Sequence, residues 1–184
     1  DALVANGTTT FAGSATTMLD LKATNNSLIG TVTIPANNVL SASGAGAQSI
    51  TLGGNLTLSG NASVVMGSTD TLIFGGAGAR SLTFGSGPAS ITGRVQVGTG
   101  LTATALTLVP AAGSLSIGGL AVSGGNASLN LGGFNGPIVT GATTVASGGT
   151  LTNAANGTPA FQGPVTISTG GTLVNNAAGN MTFN

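Results

Sequence analysis

Asp1, Asp20 and Asp70, with Lys22, Arg80 and Arg94, are the only charged side chains in this 184-residue sequence, and His, Cys, Trp and Tyr are absent. Hydrolysis of a glycosidic bond takes two carboxylates acting together. The three Asp are well separated in the sequence, but a coiled chain could bring them close, so a polysaccharide-cleaving groove is one reading. With no Glu, His or Tyr to share proton transfer, three solvated side chains, with Asp20 paired to Lys22, is the better-supported one. A nucleophilic triad lacks its base and a zinc site lacks its ligands. No catalytic, cofactor-binding or metal-binding residue is therefore assigned. Three cations are too few for a phosphate backbone, so no nucleic-acid partner is expected.

Other residue patterns carry weaker chemistry. Gly44-Ala-Gly46 and Gly75-Gly-Ala-Gly78 lead neither to Gly-Lys-Ser/Thr nor to a helix, so they read as corners and not phosphate loops. Seven Asn stand in Asn-x-Ser/Thr form: Asn6, Asn25, Asn55, Asn61, Asn126, Asn156 and Asn180. They are glycosylation acceptors if the host modifies Asn, and turn residues otherwise. Thr31-Val-Thr33, Thr102-Ala-Thr104 and Thr150-Leu-Thr152 are the repeating hydroxyl pairs that an ice-binding face requires, but Thr152 aligns with Val174 one repeat later and the ladder breaks.

The elements that hold these residues are strands. Gly, Thr, Ser and Asn make up about half the chain, and none favours a helix interior. Short alternating runs such as Ser49-Ile-Thr-Leu52, Asn55-Leu-Thr-Leu58 and Ser114-Leu-Ser-Ile117 have the period of half-buried strands, and Gly-Gly or Gly-Ser closes most of them. No run of 18 apolar residues is present, so no transmembrane helix is expected.

Gly141–Gln162 written above Gly163–Asn184 aligns without a gap and with ten identities, including Gly148-Gly-Thr-Leu151 over Gly170-Gly-Thr-Leu173. The same offset relates Ile50-Thr-Leu-Gly-Gly54 to Leu72-Ile-Phe-Gly-Gly76. A period of about 22 residues with Gly corners predicts an all-β, parallel β-solenoid (β-helix) of about eight coils; the competing arrangement is a β-sandwich. If each repeat is one coil, Leu151 lies over Leu173, Phe161 over Phe183 and Asn153 over Asn175, about 4.8 Å apart, as apolar columns and an amide ladder. The whole of 1–184 then forms one repeat domain. Residues 21–184 are its coils, and the off-pattern segment 1–20 is either an irregular first coil or cap, or a docking strand carrying Thr8, Thr9, Thr10 and Phe11.

Ala146-Ser-Gly-Gly-Thr-Leu-Thr152, Ser168-Thr-Gly-Gly-Thr-Leu-Val174 and Leu72-Ile-Phe-Gly-Gly-Ala-Gly-Ala-Arg-Ser-Leu-Thr-Phe84 resemble the repeats of bacterial autotransporter passengers and autotransporter-associated β-strand repeat proteins. The likeness spans about Ser49–Asn184, without the family's membrane-inserting barrel. It implies a secreted, surface-displayed right-handed β-helix. Zero net charge and 3% charged residues favour self-association over dispersal. Together these give the functional expectation of a non-enzymatic extracellular structural protein, polymerising head to tail through open solenoid ends. The alternative is an adhesin passenger contacting a host surface or polysaccharide.

Overall fold

A computed structural model describes the chain except residues 1, 2, 12–15, 86, 101, 102, 111–113, 133–136, 155, 156, 177 and 179. The fold is a parallel β-solenoid of about seven turns with a period of about 23 residues, against the eight and 22 expected. Eight strand layers lie on one of its three faces, because seven inter-coil steps separate eight layers.

The first coil holds β1 (Val4–Ala5), β2 (Thr9–Thr10) and β3 (Met18–Leu21); the second holds β4 (Asn25–Leu28), β5 (Val32–Ile34) and β6 (Val39–Ala42). β7 (Ser49–Leu52), β8 (Leu56–Leu58) and β9 (Ser63–Met66) make the third, followed by β10 (Thr71–Phe74) and β11 (Gly78–Phe84). β12 (Ala89–Val97) then ends the fourth coil and begins the fifth without a break. After β13 (Thr104–Pro110), β14 (Leu115–Val122) does the same for the fifth and sixth. β15 (Ser128–Asn130) and β16 (Pro137–Val139) complete the sixth. β17 (Thr143–Val145), β18 (Thr150–Asn153) and β19 (Ala160–Phe161) form the seventh, and β20 (Val165–Ile167), β21 (Thr172–Asn175) and β22 (Thr182–Phe183) the eighth.

Among the described residues all the strand pairings are parallel and join each coil to the next. The β-sandwich is thereby excluded: sandwiches pair neighbouring strands of the chain through hairpins, whereas here a strand's partner is about one full coil away.

Alternation decides what faces inward. In β7 Ile50 and Leu52 are buried and Ser49 and Thr51 point out. Stacked in register, Leu28, Leu52, Phe74, Val97, Val122 and Val145 form one inner column, none more than 1% exposed. Each such side chain contributes about 1.5–3 kcal/mol by leaving water, so the tube's core is a bundle of these columns. Thr on the outer pleat suits its β-branched shape.

Corners are set by backbone contact. A Cβ on Gly118 would lie 1.9 Å from the Thr92 carbonyl oxygen, and one on Gly141 would lie 2.1 Å from that of Gly118. Coils touch there main chain to main chain, so only glycine fits.

The described residues of the segment 1–20 lie in the stack. Thr9 and Thr10 form β2 and pair with Val32 and Thr33, and Phe11 is buried in the core. The solenoid therefore includes residues before 21, and β1 to β3 are its first coil.

Candidate functional site at the open ends

Among the described residues, β1, β2 and β3 in the first coil and β20, β21 and β22 in the eighth each have one strand neighbour where the strands between have two or more. Each row carries backbone N–H and C=O groups facing outward along the axis, a template for a further parallel strand. The side chains match this. Phe183 is 52% exposed, directly over Phe161 at 0%, and Ile167 is 38% exposed over a fully buried Val145. At the opposite end Leu3, Val4 and Met18 are exposed, and Ala5 and Leu19 are only partly covered. Within the described residues, the first and eighth coils thus leave the inner columns' apolar side chains partly open.

The predicted columns are present. Leu151 pairs with Leu173 and Asn153 with Asn175 in one register. The Phe161 and Phe183 rings are stacked with centroids 5.4 Å apart and planes 12° apart, close to the layer spacing. Asn153 Nδ2 donates to Asn175 Oδ1 at 2.8 Å and to the Gly157 carbonyl at 2.9 Å, so the amide ladder extends the backbone pairing. The aligned pairs Ala155/Ala177 and Gly157/Gly179 include residues outside those described. Thr8, Thr9 and Thr10 lie on the first coil's rim, whereas Phe11 serves the core.

Of the Asn-x-Ser/Thr residues, Asn6, Asn25, Asn55, Asn61, Asn126 and Asn180 are exposed; Asn156 lies outside the described residues. Asn126 sits in a turn at φ 61°. Asn55 Oδ1 accepts from the Ser81 N–H, and Asn61 Nδ2 donates to Asn37 Oδ1, so these side chains tie neighbouring coils together.

The Thr ladder breaks where expected, at Thr152 against Val174. Sequence reasoning missed a longer one: Thr10, Thr33, Thr57 and Thr83 stand in register across four coils, ending at Val109. The offset grows at each step of this ladder, which hides it from a fixed period. Thr102 lies outside the described residues.

The carboxylates have separate structural tasks. Asp20 Oδ2 is 2.6 Å from Lys22 Nζ and accepts from the Ser43 hydroxyl at 2.6 Å, the pairing with Lys22 that was expected. The Lys22 hydrogen bond, then that of Ser43, lowers its pKa to about 2 from an ordinary 3.8. A depressed folded pKa stabilises above the unfolded value, so this contribution is complete above about pH 4 and fades as pH falls toward 2. Lys22→Gln is expected to return the Asp20 midpoint toward 3.8, read from its carboxyl carbon in an NMR titration; an unmoved midpoint would contradict the pairing.

Asp70 corrects the reading as a solvated side chain. It is 4% exposed, and its carboxylate accepts from the Gln48 and Gly67 N–H groups at 2.8 and 2.7 Å. The loss of one coil's corner bonds is made good by a carboxylate from the next. Asn26, accepting from Leu3 N–H, and Asn38, accepting from Thr17 N–H, do the same. Nothing in their sequence context distinguishes these Asn from turn residues, so that role was not legible. Among the described residues no group of three or more Asp, Glu, His or Cys could hold a metal ion, and no helix is long and apolar enough to cross a membrane.

Comparison with protein-family models, curated proteins and solved structures finds no match for this chain.

Proposed function

We propose that this chain is a non-enzymatic structural solenoid of an extracellular filament or matrix, built by stacking copies head to tail. The supporting observation is the pair of complementary open ends: unpaired strand rows flanking inner columns that stop with Phe183 and Ile167 at one end and Leu19 and Ala5 at the other. A copy added in register sets Leu19 over Phe183 and Ala5 over Ile167, larger against smaller in each column. The last coil, Gly163–Asn184, carries no charged side chain to discourage pairing. A head-to-tail contact joins two different surfaces, so it does not close on itself and propagates. The likeness of the Gly-Gly-Thr-Leu repeats to autotransporter passengers supports an extracellular setting.

The test blocks one end at a time. Phe183→Asp and Leu3→Asp are each expected to weaken association at least about tenfold, the effect of burying one unpaired charge, as read by sedimentation and electron microscopy. Val65→Asp on a side face should leave it unchanged. Mixing the two end variants should give one-to-one dimers and no filaments, since each retains one good end. Wild-type protein that stays as single rods at every concentration would end the proposal, and so would loss of association only in Val65→Asp.

A further inference from the structure

The three cations have unequal surroundings. Lys22 is paired with Asp20. Arg80 spends its guanidinium on its own corner, donating to the Ala79 and Ala77 carbonyls at 2.9 and 3.1 Å. Arg94 makes no ion pair among the described residues; its side-chain bond to the Thr71 hydroxyl is a long one, 3.4 Å. A guanidinium has five N–H donors, so most of its capacity faces outward.

Arg94 also sits where the corner between the third and first faces lacks a loop. β12 and β14 run straight through it, and β12 carries an extra residue there: Ile91 to Arg94 on β12 opposes Ile117 to Gly119 on β14. Such a bulge re-aims the next side chain. The Ser68–Thr69 turn lies on one side and Gly141–Ala142 on the other. Together with Gly118 and Gly119 they line, beside Arg94, an open cleft of about 460 Å³, within the volume range of small-ligand sites. The Arg94 stem lies over Gly119, whose missing Cβ keeps the floor open: one placed there would be 3.7 Å from Arg94 Cβ and Cγ. Asp70, the nearest acid in sequence, forms no ion pair with Arg94; its buried carboxylate accepts from two backbone N–H groups instead.

We infer that this cleft binds the carboxylate of an acidic sugar, one uronate unit of an anionic polysaccharide. Arg94 would hold the carboxylate in the two-pronged geometry that guanidinium favours, and the Ser68 and Thr69 hydroxyls would meet sugar hydroxyls. No aromatic ring lines the cleft, so stacking adds nothing, and a single charged contact gives affinity in the millimolar range. The inference is independent of end-to-end association.

Titration of the full chain with D-glucuronate, following the amide NMR signals of Arg94, Gly119 and Gly141, tests it. Saturable shifts are expected with glucuronate, weakening as salt rises. Glucose and acetate should bind at least about tenfold more weakly, each lacking one half of the ligand. Arg94→Gln should cost about tenfold or more, and Gly119→Ala should weaken binding by filling the floor. An unchanged thermal transition in both variants separates this loss from unfolding. Absence of shifts in the wild type, equal shifts in Arg94→Gln, or acetate binding as well as glucuronate would each overturn the assignment.

Discussion

Phe161→Ala is expected to destabilise the C-terminal coils by about 3–5 kcal/mol, the usual cost of emptying a buried aromatic site. The ring is fully buried, sits over Val139 in its column, and carries the Phe183 ring stacked on its other side. The neighbouring coils cannot collapse into the gap, because their spacing is fixed by backbone hydrogen bonds on all three faces. Coils in a solenoid contact only adjacent coils, so the damage should stay local. Amide hydrogen exchange is expected to show β19 and β22 opening far more often while β7 to β10 keep their protection. Phe183→Ala, at a half-exposed ring, should cost about 1 kcal/mol in the isolated chain. Equal destabilisation by the two substitutions would mean that the column is not the source of stability.

Gly118→Ala is the second large effect, for the opposite reason. Its Cβ would sit 1.9 Å from the Thr92 carbonyl oxygen, 2.6 Å from the Thr92 carbonyl carbon and 2.9 Å from the Gly93 oxygen. All three are main-chain atoms, so no side chain can swing aside; either the bulge or the coil spacing must give way. A loss of roughly 3 kcal/mol or more is expected, measured as a lower denaturant midpoint. Gly119→Ala, one residue away, is the control: its nearest contact is 3.3 Å, to the Ala142 oxygen, and the others are 3.7 Å. It should shift the midpoint only slightly. Similar losses at both positions would show that glycine is needed there for chain flexibility and not for close approach.

How far the sequence could be read depended on whether corners varied in length. From Leu129 onward the second face advances by one constant step, to Leu151 and then to Leu173, and the columns there could be written down before any coordinates. Earlier coils step unevenly: the advance from Met18 to Val39 is shorter than that constant step, and the advance from Val64 to Ile91 is longer. The longer advance spans β11, which lengthens to seven residues, as β13 does in the next coil. They also shift the inner column, from Leu56–Leu82–Leu108 to Leu106–Leu129–Leu151. A fixed offset follows neither that shift nor the growing steps from Thr10 to Thr33, Thr57 and Thr83, so β2 looked off-pattern and the ladder went unseen. Asp70 misled for a different reason: a lone carboxylate beside Ser and Thr reads as solvated, and only the fold shows two backbone N–H groups aimed at it. Arg94 had no signal at all, because the cleft beside it comes from a one-residue bulge and a missing loop.

The parallel ladders have a mechanical consequence. Their hydrogen bonds run along the long axis of the rod, while the covalent chain circles it. Tension along the axis is therefore borne by non-covalent rungs, opened one layer at a time, so the molecule resists stretching no better than its weakest step. A load applied across the axis falls instead on the peptide backbone and on several packed layers at once. The rod is built to withstand crushing across its axis, and under axial load to lengthen by shedding turns from an end.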